Sequence, residues 1–472
     1  MTAASATPAP PAAELPPVTP VAAAADPGFT VDASRLRAWG LMSALALLDQ
    51  GLFSGAGFLV NLLLARWLVP ASYGAFAVAF ATFLFVSGLH NVLLAEPLTV
   101  MGPGRHSGNL PAYFRAQFVI HFVLFGGLAL AGVLTGLVAW RMVPGSPLVG
   151  AIFGSALMLP LLLLVWLIRR MCYLLQRPGI AAAGTFTYLV SIVIGLAALH
   201  HFNWATPFLA FLLMGAGSLV ASGVLVARLG SSQHPEQRNA ISWRAALREN
   251  WSYGRWLVGS TVLSSASTQA QIFFVSGLLG LGAAGILRAV QIPSLAMVQM
   301  ITAGGLLLLP IFAQYYASGA IARLRQRAAL TGALMAAMTL LFAGLIWSVD
   351  VPLERLLFAG KFAPYAALMP LFVLMTTAGG VSQGLGTALR AARMPHFDLI
   401  SNAFAAPIAI TSAYFFTKRW GLTGAVFSLT LAYAVQCAVT TICFYTLLPR
   451  GSGADDLANP GIDLKRVRAS RS

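Results

Sequence analysis

Long runs of apolar residues alternate with short polar gaps along most of this chain. A helix needs about 20 apolar residues to cross the roughly 30 Å of hydrocarbon in a bilayer, and twelve of the runs are long enough. They lie near residues 42–66, 74–99, 114–140, 148–168, 180–200, 206–227, 256–280, 286–316, 329–348, 366–389, 398–417 and 422–447. The pattern predicts an all-α polytopic membrane protein with about 12 transmembrane helices. The run over 286–316 is long for one crossing, so we expect tilt or a kink at Pro293.

The longest gap, residues 229–254, divides the runs into two sets of six. Trp243, Ala246, Leu247 and Trp251 recur in it at helical spacing, which predicts an interfacial helix; the alternative is a solvated linker. The predicted organisation is a disordered Ala/Pro-rich leader, an N-lobe of six helices, the linker, a C-lobe of six helices and a basic tail. Their boundaries are 1–38, 39–228, 229–254, 255–448 and 449–472.

The two sets of runs share a weak similarity. A shift of 211 positions places residues 66–76 on 277–287, at corresponding loops of the two sets. The identities are few and the residue types common, so chance is the alternative explanation. Duplicated halves are frequent in transporters, which bind substrate between the repeats near the membrane midplane. The similarity therefore favours two lobes related by an internal repeat.

Composition agrees with a membrane protein and excludes a soluble one. Hydrophobic residues make up 58% of the 472 positions and charged residues 9%, against about a quarter charged in soluble domains. The net charge of +16 comes from lysines and arginines scattered through the short gaps, which is typical of topology determinants and not of a nucleic-acid patch. Most of them fall on one side, which predicts cytoplasmic N- and C-termini. The three cysteines predict neither a disulfide nor a metal site, with Cys172 in a basic loop.

Two acidic residues lie within predicted spans. An ionised side chain at the bilayer centre costs about 2.5–3.5 kcal/mol on insertion scales, so such residues usually have a function. Asp49 and Glu96 are therefore candidate ion-coupling residues; the alternative is a carboxylate hydrogen-bonded to a neighbouring helix. His90 and His121 add polarity to the second and third runs, where a histidine is more often bonded to a helix partner.

Polar side chains also recur on single faces of three predicted helices. We expect them to line a wet central cavity, with two arginines suited to phosphate groups. The candidate cavity residues are Arg66, Arg288, Gln50, Ser54, Asn61, Ser260, Ser264, Ser267, Gln271, Gln291 and Gln299. For the arginines the alternative is snorkelling to outer headgroups. For the serines it is close helix packing, which explains the glutamines poorly.

Six short segments of the first half of the chain carry a family resemblance: DQGLFSG (49–55), LLARWL (63–68), YGAF (73–76), EPL (96–98), GPGR (102–105) and RR (169–170). They resemble segments of bacterial oligosaccharide flippases, the O-antigen and exopolysaccharide translocases of the multidrug/oligosaccharidyl-lipid/polysaccharide exporter (MOP) superfamily. The resemblance implies two six-helix lobes around a MATE-like central cavity. It also implies that alternating access carries a polyprenyl-diphosphate-linked oligosaccharide from the cytoplasmic to the periplasmic leaflet of the bacterial inner membrane.

In such a carrier, cationic groups would hold the diphosphate, serines and amides would bond the sugars, and Asp49 would couple lobe motion to protonation. Expected partners are the lipid-linked oligosaccharide, membrane lipids, and a polysaccharide polymerase and glycosyltransferases of the same pathway; no nucleic acid, cofactor or metal is expected. One alternative is a MATE-type drug or cation antiporter, which Asp49 motivates. A membrane-embedded glycan polymerase or ligase is less favoured, because the outer connection near 349–365 offers only Asp350 and Glu354 as acids.

Overall fold

The computed structural model describes residues 33–230, 241–392, 394 and 396–448. The predicted tail, residues 1–32 of the predicted leader and residues 231–240 of the linker lie outside these ranges. Residues 33–38, which were expected to belong to the disordered leader, form the start of the first helix.

Within the described ranges the regular secondary structure is entirely helical. The α-helices are α1 Ala33–Trp67, α2 Pro70–His90, α3 Glu96–Gly104, α4 Leu110–His121, α5 Gly127–Met142, α6 Pro147–Leu174, α7 Pro178–His201, α8 Pro207–Gly230, α9 Trp243–Leu278, α10 Leu281–Ala317, α11 Ile321–Ser348, α12 Asp350–Phe358, α13 Leu368–Ala391 and α14 His396–Leu447. Two π-helical turns, Asn91–Ala95 and Phe122–Gly126, join α2 to α3 and α4 to α5. Short 3-10 turns occupy Ser107–Asn109 and Ala363–Tyr365.

Ten helical segments of the described chain are long and apolar enough to cross a membrane. One of them, α14, contains two of the predicted runs. The two parts of α14 are separated at Gly421, where the backbone leaves helical geometry with φ at 60°. The predicted run 256–280 lies in α9, which has 36 residues and is rich in serine and arginine. All twelve runs thus correspond to helices, and the prediction of an all-α polytopic membrane protein is confirmed.

Two local expectations differ from the structure. The helix expected in the linker is the first part of α9, since no proline interrupts that helix between Trp243 and Leu278. Cys172, expected in a basic loop, is buried in the last turns of α6, where Arg169 is also buried and Arg170 is half-buried. The long run at 286–316 forms a single helix, α10, which continues through Pro293 and Pro310; the expected tilt or kink at Pro293 stays a prediction.

Most helix packing occurs within two groups. In the first part of the chain α1 packs on α7, and α6 packs on α8 and α2; in the second, α13 packs on α10 and α11, and α9 on α14. The two groups meet where α2 contacts α10 and α9, and where α1 runs beside α10. Contacts between the groups therefore depend on a few helices. The lobe boundaries remain predictions.

The crossing of α2 and α10 depends on two glycines. A Cβ atom on Gly74 would lie 1.7 Å from the Leu281 carbonyl oxygen, and one on Gly285 would lie 2.1 Å from the Pro70 carbonyl oxygen. The shift of 211 positions that relates the two sets of runs pairs Gly74 with Gly285 and Pro70 with Leu281. The contact is therefore reciprocal, as expected for equivalent residues that are related by a two-fold axis.

We expect Gly285→Ala to force the α2–α10 crossing apart, because backbone atoms cannot move away from the new methyl group as a side chain could. Overpacking of this kind costs about 1–3 kcal/mol. Spin labels at Val69 and Leu279, in the loops before α2 and α10, should report a larger distance than in the parent protein. Gly282→Ala is the matched control, since nothing lies within 4 Å of its added Cβ. Equal label distances in the two variants would contradict a tight crossing.

Candidate functional site

The interface between α1 and α10 contains two layers of polar side chains. In one layer Arg288 donates from Nε to Asn61 Oδ1 at 3.4 Å and from Nη1 to Gln291 Oε1 at 3.1 Å. In the other, Ser54 donates to Gln299 Oε1 at 3.4 Å. We call this set the α1–α10 seam; it comprises Gln50, Ser54, Asn61, Tyr73, Arg288, Gln291 and Gln299. Six of its seven members were predicted to line the cavity.

Arg288 is the charged group of the seam. Besides its two amide partners, its guanidinium lies 5.9 Å from the Phe80 ring centroid. Within the described part of the chain it forms no ion pair with a carboxylate. Because no carboxylate neutralises its charge, the guanidinium can attract an anionic ligand. The position is therefore suited to an anionic ligand.

A small cavity of about 10 Å³ lies against Arg288, with Gln269, Gln271 and Gln291 among its lining residues. This volume is about the minimum that holds one water molecule. Gln271, which was predicted as a cavity residue, is buried here and donates to the Thr268 carbonyl oxygen at 2.6 Å. The polar lining around Arg288 thus continues onto α9 through two glutamines, Gln269 and Gln271.

The three serines predicted on the same face of α9 do not extend the seam in this conformation. Ser267 is buried and donates to the Leu263 carbonyl oxygen of its own helix at 3.0 Å. Among the described residues the Ser260 and Ser264 side chains form no hydrogen bond, and both are half-buried. Back-bonding by serine to a preceding carbonyl is common in helices and signals no ligand.

Arg66 lies at one end of the molecule rather than in the seam. Its Nη1 donates to the Leu356 carbonyl oxygen at the end of α12, at 2.6 Å. In return Lys361 donates to the carbonyl oxygens of Arg66 and, at 3.2 Å, of Leu68. Burial, and secondly the nearby Arg66, lower the pKa of Lys361. Each cation thus caps a helix C-terminus of the other group, which closes this end, named here the Lys361 end.

Asp49 lies inside the first helix group and not in the seam. It is fully buried, and its Oδ2 accepts from Arg169 Nη2 at 2.6 Å and from the Tyr173 hydroxyl at 2.5 Å. Its Oδ1 accepts from the Thr185 hydroxyl. The Arg169 guanidinium also stacks 4.0 Å from the Phe53 ring centroid. This arrangement joins α1, α6 and α7, and it agrees with the structural alternative for Asp49.

Sequence reasoning missed the partners of Asp49. Arg169 and Tyr173 were placed in a loop because two adjacent arginines end an apolar run, and Thr185 carried no signal. A usable signal existed, since an acid in one span and an arginine at the end of another are complementary inside a membrane.

Glu96 belongs to a second polar network of the first helix group. Asn91 donates from Nδ2 to Glu96 Oε1 at 3.0 Å, and Arg170 donates to Asn91 Oδ1 at 3.4 Å. Glu96 is half-buried, and it reaches neither Arg288 nor the other members of the seam. Its predicted coupling role remains untested.

His90 and His121 are both fully buried and bond to each other, with 3.1 Å between Nε2 and Nδ1. His121 Nε2 faces the Pro160 carbonyl oxygen at 3.0 Å and must donate to it. His121 Nδ1 then accepts, and His90 Nε2 donates, in the neutral pair. Each histidine thus bonds to a helix partner, as the commoner expectation held, while His90 Nδ1 is buried without a partner in the described chain.

The two helix groups also meet at the opposite end, named here the Glu249 end. Glu249 on α9 accepts from Arg105 at 2.5 Å and pairs with His106 at 3.0 Å. Next to it, Asn250 exchanges hydrogen bonds with Gln117 and accepts from the Tyr113 hydroxyl at 3.4 Å. These contacts join α9 to α4 and to the connection between α3 and α4.

The Glu249 contact should depend on pH. Burial raises the pKa of Glu249, but hydrogen bonds and charge from Arg105 and His106 outweigh it and lower the pKa below the ordinary 4.5. A carboxyl with a depressed pKa contributes its stability above its unfolded pKa and loses it as the pH falls through the folded value. We therefore expect spin labels at Ser107 and Ser252 to separate only below pH 4.5. Glu249→Gln should give a distance that does not respond to acid; a variant that still responds would contradict this account.

The chain was compared with known proteins. No protein-family model and no curated protein sequence matches it. Solved structures do match: an inward-facing multidrug resistance MATE family transporter of the MOP superfamily has a TM-score of 0.68 at 10% identity, covering 85% of this chain and 98% of that one. The lipid II flippase MurJ in an inward closed conformation has a TM-score of 0.65 at 11% identity, covering 86% and 87%. This chain has the fold of these transporters.

An outward-facing MATE structure of the MOP superfamily matches with a lower TM-score of 0.60, at 12% identity and covering 86% of this chain and 96% of that one. These likenesses confirm the predicted fold. The sequence-based likeness to O-antigen flippases remains a prediction.

Proposed function

We propose that this protein flips a polyprenyl-diphosphate-linked oligosaccharide from the cytoplasmic to the periplasmic leaflet by alternating access, for surface polysaccharide such as O-antigen or exopolysaccharide. The observation that carries the proposal is Arg288, a guanidinium in the seam between the two helix groups that has no carboxylate partner in the described chain. Its planar fork of donors matches the oxygens of a diphosphate.

The surroundings of Arg288 support the same cargo. Amides and hydroxyls of the seam, such as Gln50, Ser54 and Gln299, both donate and accept, which suits sugar hydroxyls. With the Lys361 end as the periplasmic end and both termini cytoplasmic, the Glu249 end faces the cytoplasm, and its contacts would separate when cargo loads from that side. The proposed location is the bacterial inner membrane, and pathway glycosyltransferases and a polymerase are the proposed partners.

The described chain supports the two alternatives less well than the flippase. A cation antiporter would need a free carboxylate facing the seam, but Asp49 is bound to Arg169 inside one group. A polymerase or ligase would need free acids at the outer connection. Asp350 there accepts from the Val351 amide at 2.7 Å, and Glu354 accepts from the Phe362 amide at 2.7 Å. Each acid thus binds a backbone amide of its own segment, while Glu354 Oε2 is buried without a partner in the described chain, and we propose no enzymatic activity.

The proposal is tested by deleting the gene and measuring lipid-linked oligosaccharide. We expect it to accumulate in the cytoplasmic leaflet while surface glycan falls, and purified protein in liposomes should restore flipping of the isolated glycolipid. Normal surface glycan without accumulation would reject the function. Dye efflux by the intact protein, without glycolipid movement, would favour the antiporter instead.

A further inference from the structure

A second cavity lies inside the second helix group, between α10, α13 and α14. It has a volume of about 160 Å³. Its polar lining includes Ser382, Gln383, Arg390, Asp398, Tyr433 and Gln436. None of these residues was predicted as a site. The cavity reaches Val298 and Thr302 of α10, which flank Gln299 of the seam, so it lies at the depth of the Ser54–Gln299 layer.

Several polar groups around this cavity lack a protein partner. Within the described chain, the side-chain amides of Gln383 and Gln436 and the hydroxyl of Tyr433 form no hydrogen bond, and the Ser382 hydroxyl is buried without one. Of these groups the Ser382 hydroxyl is fully buried, whereas Gln383, Gln436 and Tyr433 are half-buried and line the cavity. Four polar groups around one space suit a ligand that offers several hydrogen bonds.

The charges of the cavity define the class of ligand. Arg390 donates to both oxygens of Asp398, at 3.1 Å and 3.2 Å, so the two charges neutralise each other. An inorganic cation would find Asp398 already paired, and a phosphate would find Arg390 paired. The remaining groups are amides and hydroxyls, which both donate and accept. This set fits a neutral group with many hydroxyls.

We propose that the cavity is a subsite for one sugar ring of the cargo. The proposal rests on the proposed function and adds to it a place for the glycan. Arg288 and the cavity residues of α10, Val298 to Thr302, are 10–14 residues apart, or about 15–21 Å along the helix. They would therefore contact different parts of one extended molecule, with the diphosphate at Arg288 and a sugar in the cavity.

Binding is tested on the full-length protein in lipid nanodiscs, without sugar-headed detergent, by saturation-transfer NMR. The probes are glucose, galactose, mannose, rhamnose and N-acetylglucosamine. We expect at least one of them to bind, and Gln383→Met, Gln436→Met and Tyr433→Phe each to weaken that binding about tenfold, the effect of losing one hydrogen bond to the ligand. Gln314→Met, an exposed glutamine of α10 outside the cavity, should bind as the parent does. Circular dichroism checks that each variant is folded.

The subsite and the function fail in different ways. If the parent flips the glycolipid but binds none of the sugars, or if the folded cavity variants bind and flip normally, the subsite is wrong and the function stands. If sugars bind and the cavity variants lose them, but the parent flips no glycolipid, the subsite stands and the function is wrong. Binding of sodium ions in place of sugars would also overturn the subsite.

Discussion

Arg288→Leu should nearly abolish glycolipid flipping while leaving the protein folded. Hydrogen bonds to a charged group contribute about 1.5–3 kcal/mol, so losing them should weaken diphosphate binding between tenfold and more than a hundredfold. The variant should still fold, because Arg288 has no carboxylate partner in the described chain that would be left unpaired. Asn61 keeps another bond, donating to the Gly57 carbonyl oxygen at 2.9 Å. The measurement is the initial rate of flipping in proteoliposomes, together with the thermal unfolding midpoint.

Two further variants sharpen this test. Arg288→Lys keeps the charge without the planar fork, so we expect intermediate flipping. Arg141→Leu removes the same charge from an exposed position at the end of α5 and should flip at the parental rate. If Arg288→Leu flips like Arg141→Leu, the guanidinium does not hold the cargo and the proposed function loses its main support.

Asp49→Leu should be the most destabilising single substitution among the charged residues discussed above. It leaves the guanidinium of Arg169 buried beside Phe53 with no counter-charge, and breaking a buried pair in this way costs about 3–5 kcal/mol. We expect a strong fall in the yield of folded protein and in its unfolding midpoint in detergent.

The double variant Asp49→Leu with Arg169→Met distinguishes a structural role of this ion pair from a role of Asp49 in ion coupling. Replacing both partners with apolar residues removes the uncompensated charge, so stability should return to near the parental value. If Asp49 serves structure alone, flipping should return with it. A double variant that is stable but flips nothing would show that Asp49 couples an ion, as the sequence also allowed.

The helices could be predicted from the sequence, whereas only a general complementarity of charge marked the partners of the buried charges. Apolar runs report directly on a hydrocarbon solvent, so all twelve were found. The seam was found because its members recur at helical spacing on α1 and α10. Arg169 was not, because its charge argues against a membrane position and only the fold shows the carboxylate that compensates it.

The glutamines of the second cavity illustrate the same limit. Gln383 and Gln436 occur singly in different helices and form no stripe, so nothing along the chain marks them. They become a site only when α13 packs against α14. The serines of α9 are the opposite case, since their regular spacing predicted a wet face where Ser267 only bonds its own helix.

The reciprocal glycine contact has a mechanical consequence for the transport cycle. Gly74 and Gly285 hold two main chains together with no side chain between them to stretch or swivel. Such a contact cannot loosen gradually, so the two main chains are either in contact or apart. Release towards the far side should therefore occur in one abrupt step, shared equally by the two halves of the molecule.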